Sequence, residues 1–245
     1  MTVSSHTPFS GWPPANTVFP VEGVILRVVE GEHPFHRARQ AAAAANWDVE
    51  VARNPALFNG RMVFQSRVSF TNGVLNGEGH IIPYSTFLWW RKQPGGAGGM
   101  HIFAFPVLVA SDGALVAIRM SAQTANPGQV YCAAGSLDEN DIVDGYCDIA
   151  ANMRREVLEE TGFDLDRDAV ADRQLYAAHN DGRIVLYRLF RFSMSGEEMA
   201  QAIRGRGDRD EEVEDAVVIR SADPSLHNYA APMLPLLAWF FDRQA

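Results

Sequence analysis

The sequence predicts an α/β fold preceded by an α+β region, and three observations lead there. From residue 99 onward the segments run β-β-β-α-β-β-α-β-α, alternating apolar β-like runs with helical ones. Ahead of them stand an alanine-rich helical stretch and a set of Asn-Gly turn signals. The chain has 245 residues, 47% hydrophobic and 21% charged, an ordinary globular composition with room for one large domain or two small ones.

Residues 1–19 carry Pro8, Pro13 and Pro14 among small polar residues and read as an extended, partly disordered lead-in. Phe19 to Val29 alternates and is rich in Val, Ile and Leu, which predicts a strand. His33 to Arg53, centred on Ala41 to Ala45, predicts a helix. Asn59-Gly60, Asn72-Gly73 and Asn76-Gly77 follow, so Arg61 to Phe70 and Val74 to Ile82 should pair around one of them. Tyr84 to Lys92 reads as a short helix, and Trp89-Trp90 within it as packing or interface residues. Pro94 to Gly99 is a flexible breaker. The main boundary is placed there, giving a lead-in at 1–19, an α+β region at 20–98 and a second domain at 99–245.

Beyond it, Met100 to Ala110 and Ala114 to Met120 predict a hairpin around Ser111-Asp112-Gly113, and Tyr131 to Ala134 a short strand. Ile149 to Thr161 predicts a helix. Leu175 to Ala178 and Arg183 to Phe192 predict strands joined at Asn180-Asp181-Gly182. Gly196 to Arg204 predicts a helix, Ala216 to Arg220 a strand, and Pro232 to Arg243 an amphipathic closing helix.

Twenty-one basic residues against thirty acidic ones give a net charge of −9, which disfavours polymeric nucleic acid and anionic membranes as partners. A small phosphorylated substrate is still allowed, because bound divalent ions reverse the local field. Cys132 and Cys147 are too few for a disulfide framework and read as reduced thiols of a cytoplasmic protein. The N-terminus shows neither a basic region nor an apolar core of a signal peptide, and no apolar run approaches the ~20 residues that span a bilayer. His33-x-x-His36 lacks a third ligand nearby and reads as two surface histidines.

The densest chemistry lies in Arg155-Glu156-Val157-Leu158-Glu159-Glu160-Thr161-Gly162-Phe163. On a helix Glu156 and Glu160 are one turn apart, with Glu159 beside them. Such a stripe repels itself, a cost that divalent cations would offset with their preference for oxygen ligands. A solvated acidic helix face is the plainer reading of a charge run. Arg155, one turn before Glu159, is placed to orient it by an ion pair, and Gly162 is a natural helix stop.

This segment resembles the second half of the Nudix box at every specified position. The resemblance covers roughly residues 100–245 and implies an α/β/α sandwich with a mixed sheet. It implies hydrolysis of a diphosphate linkage in a nucleoside diphosphate joined to another group, with Mg²⁺ or Mn²⁺ held by Glu156, Glu159, Glu160 and the Gly135 carbonyl. The box departs from the family spacing. Counted back from Arg155, Cys147 stands where a glutamate belongs and Asp141 where the glycine belongs. Gly135 is the better glycine, which implies an insertion of about six residues around Asn140 to Gly145 and a lost box glutamate. Many relatives draw a further glutamate from a loop before a late strand. Glu211, Glu212 and Glu214 stand there, and Glu212, then Glu214, is favoured beside Arg155 and Glu159 as a catalytic residue.

A weaker resemblance links Arg119-Met120-Ser121, Gly128-Gln129-Val130 and Gly135 to Asp141 with coenzyme A diphosphatases of the superfamily, and implies Arg119 as a substrate-binding residue. This chain lacks the histidine and basic residues between the two parts, and Ala133-Ala134 replaces the usual Pro-Gly. Three functions stay open: a Nudix diphosphatase, a coenzyme A diphosphatase, and a catalytically silent nucleotide-binding or regulatory protein of the same fold. A homodimer is the oligomeric expectation.

Overall fold

The computed structural model describes Phe9, residues 11–207 and residues 211–243. Its elements in chain order are β1 (Phe19–Val21), β2 (Gly23–Val28), α1 (Pro34–Arg53), β3 (Arg61–Thr71), β4 (Val74–Pro83), α2 (Tyr84–Trp90), β5 (His101–Val109), β6 (Leu115–Met120), β7 (Val130–Tyr131), β8 (Ile142–Val143), β9 (Tyr146–Cys147), α3 (Ile149–Thr161), α4 (Leu165–Asp168), β10 (Ala169–Ala171), β11 (Leu175–Asn180), β12 (Arg183–Phe192), α5 (Gly196–Arg204), β13 (Val213–Ile219) and α6 (Met233–Asp242). The expected order after residue 99 is present, with β8, β9, α4 and β10 added to it.

Two mixed sheets result. The eight-stranded one runs β1-β11-β12-β5-β6-β13, with β10 also on β12 and β7 also on β6. Its β12–β5 pair is parallel and the other pairs antiparallel. The five-stranded sheet runs β3-β4-β2-β9-β8. Arg119 and Met120 are neighbours on β6 and point to opposite faces. Arg119 meets Asp215, which Arg204 of α5 holds at 2.7 Å, whereas Met120 shares a cleft with Pro232 and Pro235 at the start of α6. Helices therefore cover both faces of the large sheet, as an α/β sandwich requires.

The strand expected at Phe19 to Val29 is two strands in two sheets. β1 pairs with β11, and after Glu22 the chain enters β2, which lies parallel to β4. Both sheets cross the boundary drawn at Gly98-Gly99, since β1 joins the large sheet and β8–β9 joins the small one. One apolar core runs across it, with Phe19, Leu26 and Val63 in the same cluster as Ile102, Leu186 and Leu236. A second cluster, Phe35, Met62, Phe64, Ile82, Phe87 and Trp90, is drawn from α1, α2, β3 and β4. Trp90 is 1% exposed there, in keeping with a packing role.

The glycine-rich breaker is held in place by contacts. A Cβ on Gly96 would lie 2.5 Å from the Gly182 Cα, one on Gly98 2.4 Å from Phe35, and one on Gly99 2.2 Å from Phe64. Glycine serves here for close backbone approach. The lead-in also packs where it is described. Phe9 stacks on His179 at 4.3 Å, Trp12 meets Phe70, and the Pro13 carbonyl lies 2.7 Å from His179 Nε2. The rest of the expected lead-in, residues 1–8 and 10, falls outside the described residues, as do residues 208–210 of the loop before β13.

His33 departs from the surface role expected of it. It is fully buried, and its Nδ1 accepts from the Phe35 backbone N–H at 3.0 Å, capping α1. His36 pairs with Thr86 at 2.7 Å. Among the described residues no helix is long and apolar enough to cross a membrane, and both cysteines are free.

Candidate active site

Helix α3 spans the predicted residues and is tightly terminated. Asp148 caps it by accepting from the Ala151 N–H at 2.9 Å. Gly162 closes it at φ 77°, where only glycine sits without strain. Met153 and Val157 bury the core face at 1% and 0% exposure, which fixes the helix rotation. Glu156 and Glu160 then stand buried at 8% and 5%, while Glu159 stays half exposed and Leu158 faces solvent.

Glu156 and Glu160 line a cleft of about 680 Å³ together with Gly135, Asp138 and Glu212. Gly135 lies directly against Glu156, since an added Cβ would fall 2.5 Å from its Oε1 and 2.6 Å from its Oε2. Glu212 arrives from the turn before β13, anchored by its carbonyl, which accepts from the Ser121 N–H at 2.8 Å. Glu214 occupies the unpaired position of a β-bulge between Val213 and Asp215 and does not line the cleft, nor does Glu211. Arg119 points to the opposite face of the sheet, which removes the geometric basis for the substrate contact expected of it.

Arg155 makes the contact with Glu159 expected of it, at 3.5 Å, but its nearest carboxylate is Glu156 at 2.7 Å. Its second nitrogen donates to both oxygens of Asp141 at 3.1 Å, with Asp138 at 3.8 Å. Asp141 is 2% exposed and also accepts from Asn152 Nδ2 at 2.9 Å and from the Asp138 N–H at 3.0 Å. Sequence reasoning missed this residue. Counting forward from Gly135 instead of back from Arg155 reaches Asp141 six places on, at the box-glutamate position. Asp141 thus stands, one carbon shorter, where the resemblance leads one to expect a glutamate. The insertion is the β8–β9 hairpin that follows it, turning at Asp144 and Gly145 and ending in Cys147. It carries the chain into the small sheet through the Arg27–Tyr146 pairing.

Burial pushes the Glu156 carboxyl up to about 7, opposed by Arg155 and reinforced by Glu159, Asp141 and Asp138. Burial works against the charge on Arg155, but Glu156, Asp141 and Asp138 outweigh it and raise its pKa. Among the described residues no three His, Cys, Asp or Glu side chains are gathered closely enough to hold a metal ion as they stand. The donor chemistry nevertheless fits one. The acidic part of the cleft offers only hard oxygens, from Glu156, Glu160, Glu212 and the backbone at Gly135, and Gly135 leaves open the space that a side chain would fill.

The remaining walls are aromatic and polar, including Tyr84, Phe87, His101, Phe103, Phe105 and Tyr131, with Arg91 and Arg183 among them. A hydrophobic lining with a few placed polar groups is the usual make-up of a small-molecule site.

No family model matches the chain, and no curated protein matches it. Solved structures do. The Nudix domain of Shewanella oneidensis NrtR, complexed with ADP-ribose, aligns at TM-score 0.44 and 14% identity over 62% of this chain and 94% of that one. A Caenorhabditis elegans Ap4A hydrolase aligns at 0.41 and 15% over 59% and 97%. A MutT protein from Methanosarcina mazei Go1 aligns at 0.39 and 14% over 62% and 97%. These are overall likenesses below a TM-score of 0.5, and they add nothing about chemistry to the residues themselves.

Proposed function

We propose that this chain is a divalent-metal-dependent Nudix hydrolase that cleaves a diphosphate linkage in a nucleoside diphosphate joined to another group. The observation that carries the reading is the convergence of Glu156 and Glu160 from α3, Gly135 from the loop before it and Glu212 from a distant turn on one cleft. Glu156, Glu160 and the Gly135 carbonyl, with the half-exposed Glu159, would hold Mg²⁺ or Mn²⁺. Once bound, the ion supplies Lewis-acid charge that neutralises the diphosphate.

The chain's own residues do the rest. Arg155, clamped by Asp141, keeps Glu156 directed at Gly135. Glu212, on another wall of the cleft, is the group we assign to accept the proton of the attacking water. The water oxygen bonds to one phosphorus, the bridging P–O bond breaks, and two phosphate-ended products leave. Glu214 is the weaker candidate, because it does not reach the cleft.

The purified protein with Mg²⁺ or Mn²⁺, offered ADP-ribose, diadenosine polyphosphates, nucleotide sugars and coenzyme A, should release phosphate-ended products from at least one. Glu160→Gln should abolish that turnover. Glu212→Gln should lower kcat by roughly a hundredfold or more. Full activity in Glu160→Gln sinks the mechanism, and full activity in Glu212→Gln sinks only the proton-acceptor role. A silent nucleotide-binding protein is the second reading, favoured by the 2.7 Å engagement of Glu156 by Arg155. Calorimetric binding without product from any compound would select it.

A further inference from the structure

Arg91 and Arg183 both line the cleft, and neither forms an ion pair with a carboxylate among the described residues. That is unusual in a chain with nine more acidic than basic residues. Both guanidiniums lie over one aromatic wall. Arg91 sits 5.8 Å from the Phe87 ring centre and Arg183 5.4 Å from that of Trp90, and the two rings stack 5.7 Å apart.

Both arginines are held in position. Arg91 donates to Asn126 Oδ1 at 2.7 Å. Arg183 leaves the β11–β12 turn at Gly182, which is pressed backbone to backbone against Gly96 and whose carbonyl accepts from the His101 N–H at 2.9 Å. The arginines repel each other: burial and then Arg91 lower the pKa of Arg183, and Asp181 opposes them only in part. His101, 7% exposed between Phe87 and Phe103, is kept neutral by burial and by both arginines. Two mutually repelling cations on one wall, neither ion-paired to a carboxylate among the described residues, form a site that an external anion would stabilise.

We propose that Arg91 and Arg183 form an anion subsite of this cleft, which takes a phosphate group carried by the substrate in addition to its diphosphate. This rests on the hydrolase reading. The preferred substrates would then be phosphorylated nucleoside diphosphate derivatives, with the diphosphate at the glutamates and the extra phosphate at the arginines.

Matched pairs differing by one ribose phosphate test it: coenzyme A against dephospho-coenzyme A, and NADP against NAD. The wild type should favour the phosphorylated member of at least one pair by roughly tenfold or more in kcat/KM. Arg91→Gln and Arg183→Gln should erase that preference by raising KM for the phosphorylated member much more than for the other, and Arg91→Lys should keep part of it. Equal loss on both members would mean that the arginines grip the diphosphate itself, and would overturn the subsite. So would a wild type indifferent to the extra phosphate in both pairs.

Binding is read separately from turnover. Calorimetry with adenosine 3′,5′- and 2′,5′-bisphosphate and with AMP needs no bond cleavage. Tighter binding of either bisphosphate, lost in the double Arg→Gln variant, supports the subsite even in a protein that hydrolyses nothing, where only the hydrolase reading would fall. Binding of AMP equal to that of both the 3′,5′- and the 2′,5′-bisphosphate overturns the subsite even in an active enzyme.

Discussion

Replacing Asp141 by asparagine should weaken both the fold and the site through one side chain. The Asp141 carboxylate accepts from Arg155, Asn152 and the Asp138 N–H at 2.9–3.1 Å while 2% exposed. Asparagine keeps the volume, but with its oxygen where Asn152 and the Asp138 N–H donate, its NH₂ faces the Arg155 guanidinium, donor against donor. Removing one partner of a fully buried ion pair costs about 3–5 kcal/mol. The Arg155 side chain is 29% exposed, so solvent screens part of that loss and about 1.5–3 kcal/mol is the expected figure. For a chain of this length that is a fall in Tm of roughly 4–10 °C. Arg155 would also lose the anchor that aims it at Glu156, so kcat should drop beyond what the lost folded fraction explains. Thermal melts and steady-state kinetics at a temperature where both proteins are fully folded separate the two effects. An Asp141→Asn protein that melts within a degree or so of wild type and turns over normally would refute the account of Asp141 as the box acid.

Gly135→Ala should leave the melting temperature nearly unchanged yet cut activity, because the three atoms nearest its Cβ all belong to the Glu156 carboxylate, the far end of a side chain, which the methyl would push out of place. A large loss of stability would contradict that local reading. Gly96→Ala should do the reverse at first order, costing more than about 1–2 kcal/mol, since its Cβ meets Gly182 backbone at φ +64°; denaturant midpoints measure it. Acid should destabilise the fold through His33 and His101. Burial holds these at about 4 and about 3, below the usual 6.5, so between those values and 6.5 only the unfolded chain binds their protons. Their stability contribution is whole above pH 6.5 and falls with pH at about 1.4 kcal/mol per unit for each. Urea midpoints at pH 7, 6 and 5 that show no decline would exclude neutral burial of both rings.

The sequence by itself determined the local elements and the kind of chemistry. Helix α3 was legible to the residue, because its acidic stripe, apolar face and terminal glycine are all set by spacing along one helix. So was α5, and the β3–β4 hairpin lay where Asn72-Gly73 put it. Tertiary structure decided what spacing cannot encode. By sequence Glu212 is favoured over Glu214 without a geometric reason, and in the fold Glu212 lines the cleft while Glu214 sits unpaired in the bulge and does not. Counted back from Arg155, fourteen positions on, Asp141 falls at the glycine position, yet folding the hairpin between them into the small sheet brings the two into contact. Arg91 and Arg183 lie 92 positions apart, and the pairing of β12 with β5 and the packing of Gly96 on Gly182 bring their segments together. A helix carries its geometry in its own repeat, whereas a cleft is made by strand pairings whose partners the local sequence does not name.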